Sequence, residues 1–337
     1  MTSCDRGTDI LVRAREIATT VLFPATLAVD AAQVVPATHL DLLASGGFYG
    51  IAAPPDAGGP EVDFPTVCAI VETFASACLC TTFVWMQHHG VVLRLADGQS
   101  PRLRADWLPR LITGECRAGV VLGGALPGEP KLVARTVSGG YVLTGHSPWV
   151  TGWNMVDVLA VAARHGEALV WALLDARESA TLTIEPLRMV AVSASNTVTV
   201  RFAEHPVPAD RLIGTQDYAA WLRADAAVLR MNGSLALGLT SRCATLLGPG
   251  PLDAELAACR TRLDTATVPE LPDARAQAAA LAARAANTLV AATGSRAILL
   301  DQHAQKLARE ALFLLVFASR PSIKQALLRR LIAPPAP

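Results

Sequence analysis

The feature that most constrains this chain is a change of period. Apolar residues recur at helical spacing up to about residue 116, cluster in short β-branched runs from 117 to 214, and return to helical spacing beyond. In the first stretch, Asp9 to Ala32 holds few breakers apart from Pro24, and Thr38 is expected to cap a short helix that stops at Gly46-Gly47. Val67, Ile70, Val71, Phe74 and Cys78 then mark one buried helix face, and Thr81 to Leu95 reads as another helix. The middle stretch offers strands at Lys131–Val137, Tyr141–His146, Val156–Ala163, Leu169–Leu174, Leu182–Arg188 and Thr197–Ala203, separated by turns. Helix returns at Tyr218–Leu247, Leu252–Ala266, Ala274–Thr293 and Ala304–Ala318, with a short segment from Pro321 and a Pro-rich, disordered tail after Leu331.

The expected fold class is therefore α+β: a helical unit over 1–116, a central antiparallel β-barrel or sandwich over 117–214, and a helical bundle over 215–337. A chain of 337 residues can bury a substantial core without staples. Its 29 basic and 29 acidic residues cancel, so no general attraction to nucleic acid or an anionic membrane is implied. The longest aliphatic and aromatic block, Ala311 to Ala318, falls well short of the roughly 20 residues of a membrane span. No basic and then apolar leader pattern opens the sequence, and a cytoplasmic location is expected.

Seven scattered cysteines without a Cys-x-x-Cys pair read as free, buried thiols. Adjacent His88 and His89 diverge on a helix, so no metal site is expected. Gln87 or His88 could line a cavity, although packing is the commoner role. There is no phosphate loop, no Gly-x-Gly-x-x-Gly fingerprint and no Gly-x-Ser-x-Gly elbow.

Four ordered segments carry more specific information. They are Gly50 to Gly59 with its paired prolines and glycines, Trp107-Leu108-Pro109 with Gly114 behind it, Pro148-Trp149-Val150-Thr151-Gly152-Trp153 between two strands, and Val207-Pro208 to Gly214. Together they resemble the acyl-CoA dehydrogenase family, over about residues 35 to 331 and most strongly between 46 and 214. The resemblance implies FAD as cofactor. It places Leu122, Gly123 and Gly124 in the first flavin loop and sets Trp149, Val150 and Thr151 against the flavin ring, the threonine through its hydroxyl or backbone amide. It also puts Gly294 in the turn that approaches a neighbour's adenosine.

The sequence departs from the family pattern where the chemistry is carried. Gly123 and Gly124 replace the usual Thr-Glu, and Gly248-Pro249-Gly250-Pro251 replaces an arginine loop that crosses to a partner's FAD. The two family positions for the catalytic glutamate fall on Ala318 and near Val228. Asp225 is the nearest upstream carboxylate to the second of these, and Glu310 is the neighbouring acid if the alignment slips by a turn. The catalytic residue is thus open, with Asp225 a weak candidate.

The resemblance implies an FAD-dependent oxidoreductase acting on an acyl thioester, bound to CoA or a carrier protein, in CH–CH oxidation. A homo- or hetero-oligomer is expected, with an electron-transfer partner or a flavin reductase. The alternatives are a flavin-dependent monooxygenase on the same scaffold and a non-catalytic structural subunit of a heteromeric dehydrogenase.

Overall fold

The computed structural model describes residues 3–332. The Pro-rich tail therefore lies almost wholly outside the described residues. Helices α1 (Ser3–Ile17) and α2 (Phe23–Ala32) are joined by a π-helical turn, Ala18–Leu22, so the chain absorbs Pro24 in the first turn of α2 instead of ending a helix there. Next come α3 (Ala37–Ser45), α4 (Phe64–Ala77), α5 (Leu79–Ala96) and α6 (Pro101–Thr113). Pro36, not Thr38, precedes α3; its extended backbone already stops helix, which leaves Thr38 inside the first turn. Asp63 caps α4 by accepting the Thr66 N–H at 2.9 Å, and Pro65 fits the turn because its missing donor has no helical partner there.

The strands are β1 (Ala118–Val121), β2 (Leu132–Val137), β3 (Gly140–Val150), β4 (Val158–His165), β5 (Ala168–Asp175), β6 (Leu182–Pro186), β7 (Val198–Pro208) and β8 (Leu212–Asp217). Their order is β6-β7-β3-β2-β4-β5-β8, with β1 added beside β4. The sheet is antiparallel except where β1 runs parallel to β4 and at a single parallel contact, Val133 with Arg164, between β2 and β4. Alternation along β4 divides two cores. Val158, Ala160 and Ala162 face α5 and α6, whereas Leu159, Val161 and Ala163 meet Leu132, Leu143, Val170, Val200 and Phe202 inside the curled sheet.

The last third holds α7 (Tyr218–Asp225), α8 (Leu229–Leu247), α9 (Pro251–Thr265), α10 (Leu271–Thr293), α11 (His303–Val316) and α12 (Pro321–Ile332). The expected continuous helix from 218 to 247 is broken by a tight 3-10 turn at Ala226–Val228. Its halves serve different cores: Tyr218 and Trp221 pack on the α5–α6 side of the sheet, while Leu235, Leu237 and Leu239 join the helical core.

That helical core is shared between the ends of the chain. Ile70, Val71 and Phe74 of α4 sit in the same cluster as Leu235 to Leu239 of α8 and Ala278 to Ala286 of α10. At Gly238 a side chain would come within 2.4 Å of the Glu72 carbonyl, so α4 and α8 touch backbone to backbone. Six cysteines, Cys68, Cys78, Cys80, Cys116, Cys243 and Cys259, are free and buried.

Candidate functional site

The two glycines of the turn after β1 are fixed by sterics. A side chain on Gly123 would approach the Pro148 carbonyl to 2.4 Å, and one on Gly124 the His146 carbonyl to 2.5 Å. The turn can therefore lie directly on the end of β3. The Gly124 N–H donates to Ser147 Oγ at 2.9 Å, and the Ala125 N–H to the Leu122 carbonyl at 2.9 Å. Leu122, Gly123 and Gly124 are in this way brought together with Trp149, Val150 and Thr151.

Trp149 stands out within that group. β3 and β7 lose register between Ser147 and Val150, and Trp149 takes φ 64°, a left-handed backbone that disfavours any side chain with a Cβ. The bulge turns the indole outward, where it is 65% exposed between two buried residues, Val150 and Ser147. A large ring held in a costly conformation and left bare has no packing role in this chain.

Thr151 points the other way. Its residue is buried, and its hydroxyl lies 3.3 Å from Thr197 Oγ1, which lies 2.8 Å from Ser195 Oγ. The following backbone is also pinned. The Gly152 N–H donates to the Ser195 carbonyl at 2.9 Å, the Trp153 N–H to the Asn196 carbonyl at 3.2 Å, and the Asn196 amide back to the Trp153 carbonyl at 2.6 Å.

An isoalloxazine needs a flat apolar face, backbone close enough to meet its polar edge, and no side chain in the way. The exposed Trp149 ring and the side-chain-free Gly123-Gly124 turn beside it fit that requirement. The Thr151 hydroxyl is committed to Thr197, which leaves the backbone of the segment for polar contact.

The remaining sequence-derived positions lie elsewhere. Gly294 ends α10 at φ 72° and opens a 3-10 turn, Gly294–Ile298, on the helical side. Asp225 is half-buried and held by Arg320, whose Nε donates at 2.9 Å and whose terminal nitrogen lies 2.7 Å away. Glu310 pairs with Lys306 one turn earlier on α11, both only 2% exposed. Burial pushes the Glu310 carboxyl up from its ordinary range, with the ammonium opposing it. Burial also works to lower the Lys306 pKa, and the Glu310 carboxylate more than offsets this and raises it. Ala318 sits after α11 at φ 52°.

Gln87 donates to the Phe83 carbonyl at 3.1 Å on its own helix. His88 is a structural bridge: Nε2–H donates to the Leu111 carbonyl at 3.0 Å, and Nδ1 accepts the Ala118 N–H at 3.1 Å, tying α5 to α6 and β1. No group of His, Cys, Asp or Glu among the described residues is arranged to hold a metal. A cleft of about 370 Å³ between α1, α4, α8 and α9 is lined by Arg15, Arg230, Arg242 and Arg260, and no residue of the Trp149 segment borders it.

The Ser195–Thr197 anchor was not singled out from the sequence. Its only local signal is the run Ser193-Ala194-Ser195-Asn196-Thr197, which reads as an ordinary polar loop.

A family profile described as "Acyl-CoA dehydrogenase, N-terminal domain" matches residues 7–115. A 3-sulfinopropanoyl-CoA desulfinase of Variovorax paradoxus is 24% identical over 165 residues, 46% of this chain and 40% of that protein. A cyclohex-1-ene-1-carbonyl-CoA dehydrogenase of Geobacter metallireducens is 28% identical over 155 residues, 44% of this chain and 40% of that protein. The matches thus span two-fifths of the length of these curated relatives. Among solved structures, the FAD complex of PigA superimposes with a TM-score of 0.84 at 16% identity, covering 97% of each chain. That likeness shows a common fold from end to end.

Proposed function

We propose that the chain is a member of the acyl-CoA dehydrogenase family that binds FAD against Trp149 and acts as an oxidoreductase on an acyl thioester. The observation that carries this reading is the exposed indole, presented at a left-handed bulge beside a glycine turn with no side chain to block a flat ligand. The FAD named for the superimposed PigA complex supports the same cofactor. FAD supplies a two-electron acceptor for a hydride leaving the carbon β to the thioester.

The chain's own residues account for binding better than for proton removal. Trp149 offers its ring to the flavin, and the Gly123-Gly124 turn offers backbone without steric obstruction. The α-proton needs a carboxylate within hydrogen-bond reach. At the positions singled out from the sequence, Ala318 has only a methyl group, Asp225 is clamped by Arg320, and Glu310 is sealed in the core against Lys306.

This deficit favours a second reading, in which the chain works with a partner subunit that completes the site, or catalyses flavin chemistry that needs no such base. The desulfinase relative illustrates that the scaffold hosts more than one reaction. Association fits the exposed apolar side chains Ile298, Leu299 and Leu300 and those of Leu312 and Val316 on α11, since soluble chains seldom leave such surface open.

The test is an absorbance spectrum of the purified protein before and after reconstitution with FAD. Retained flavin that bleaches with a saturated acyl-CoA supports dehydrogenation. Flavin that is retained but bleaches only with an added reductant supports the second reading, and no retention overturns the cofactor assignment.

A further inference from the structure

The 193–197 loop passes under the Trp149 segment in an unusual backbone path. Val192 and Asn196 are both left-handed, at φ 50° and 44°, and they bracket a single 3-10 turn, Ser193–Ser195. A β-branched residue such as valine adopts that conformation only where its surroundings hold it there. Val192 is packed in the helical core together with Ala194, which fixes the loop to the helices.

From this fixed loop, contacts run upward to the segment in sequence order. Ser195 meets Gly152 through its carbonyl, Asn196 meets Trp153 in both directions, Thr197 meets Thr151 through its hydroxyl, and Val198 pairs with Val150. On the other side of the indole, Ser147 accepts the Gly124 N–H and pairs with Val200. Trp149 is consequently the one outward-facing residue in a stretch clamped on both flanks. The Ser195, Thr197 and Thr151 hydroxyls form a buried chain centred on Thr197, so deleting the Thr197 hydroxyl removes this contact from both neighbours, and deleting that of Ser195 leaves Thr197 only its longer contact with Thr151.

We propose that Thr197, braced by Ser195, is a positioning residue that locks the Trp149–Thr151 segment in the bulged form that receives the flavin ring. The inference rests on the reading that Trp149 meets FAD. Thr197 does not touch the ligand; it acts by holding Thr151, and through Thr151 the left-handed turn that presents the indole.

Three variants separate the roles. Thr197→Val keeps the branched shape of the strand and removes the hydroxyl. Thr197→Ser keeps the hydroxyl, and Ser195→Ala removes the brace. Amide hydrogen exchange of the peptide covering 149–153 in the flavin-free protein reads the clamp directly. FAD titration followed by flavin absorbance and tryptophan quenching reads its consequence.

The expected result is faster exchange at 149–153 in Thr197→Val and Ser195→Ala, by about tenfold, consistent with loss of one buried hydrogen bond. FAD should bind correspondingly more weakly with an altered visible spectrum, and Thr197→Ser should restore both. Unchanged exchange in Thr197→Val overturns the clamp. Faster exchange with wild-type FAD affinity and spectrum overturns the positioning role. Absence of FAD binding by the wild-type protein overturns the cofactor assignment and this inference with it, an outcome distinct from either of the others.

Discussion

The Asp225 carboxylate lies 2.7 Å from the Arg320 guanidinium, with both side chains less than one-fifth exposed. The pair joins the end of α7 to the residue preceding α12, and it occupies the carboxylate nearest one of the expected base positions. Asp225→Asn should therefore act on folding before it acts on catalysis. The expected loss is about 1–3 kcal/mol in urea unfolding, because the partly buried Arg320 is left without its counterion. Unchanged stability with abolished acyl-CoA turnover would identify Asp225 as the missing base instead.

Trp149 gives the opposite signature. Because the ring packs on little and the backbone is left-handed, Trp149→Gly should stabilise the flavin-free protein by about 1 kcal/mol relative to Trp149→Ala. Both variants should bind FAD roughly tenfold more weakly, as loss of an aromatic contact implies. A marked drop in melting temperature in Trp149→Ala would show that the indole is a core residue.

The buried pair on α11 is expected to be replaceable only as a pair. Glu310→Gln should cost about 3–5 kcal/mol by stranding the Lys306 ammonium, whereas Lys306→Met combined with Glu310→Leu should be close to neutral. Denaturant midpoints of the two singles and the double form a cycle that tests this. A double variant as unstable as the singles would mean that the ion pair itself holds α11 in place.

Acidification should destabilise the fold through α5. His89 has no partner on either ring nitrogen, and burial holds its pKa down to about 3; His88 is also pushed well below the ordinary range by burial. In the unfolded chain both titrate near 6.5, so as pH falls below 6.5 the unfolded state takes up protons that the folded state refuses. The contribution is fully present above that pH and is lost toward the folded pKa. His89→Leu should flatten the slope of stability against pH by about 1.4 kcal/mol per unit between pH 6.5 and 3. An unaltered slope, measured by unfolding at several pH values, would show that His89 is not the group responsible.

The exposed Ile298, Leu299 and Leu300 run predicts association. Light scattering should report a dimer or larger assembly at micromolar concentration, and Leu300→Asp should shift it toward monomer. A wild-type protein that remains monomeric throughout that range would exclude self-association and leave these residues to a different partner.

Much of the fold was legible because it is written in local pattern. Val67 to Cys78 carries helical spacing, and β4 and β5 are short continuous apolar runs between turns, of the length of buried strands. The break at Ala226–Val228 was not legible, since nothing in Tyr218–Leu247 forbids helix; the turn arises because the two halves bury their side chains in different cores. The same limit applies to the site. The Trp149 segment and the Gly123-Gly124 turn could be named from motif spacing. The inward rotation of the Thr151 hydroxyl depends on Thr197, 46 residues away along the chain. Ion pairs such as Asp225 with Arg320 are likewise long-range, and no periodicity encodes them.

The backbone contact of α4 with α8 at Gly238 has a consequence for biosynthesis. The apolar face of α4 is made early by the ribosome, yet its partner emerges only after the entire sheet has been translated. Until then this face meets only the first helices, with Phe48 and Trp85 against Phe74, and the side that α8 will cover remains open to chaperones or to other nascent chains. A fragment ending at Asp217 should hence be recovered mainly as aggregate, even though it contains every strand and the whole Trp149 segment.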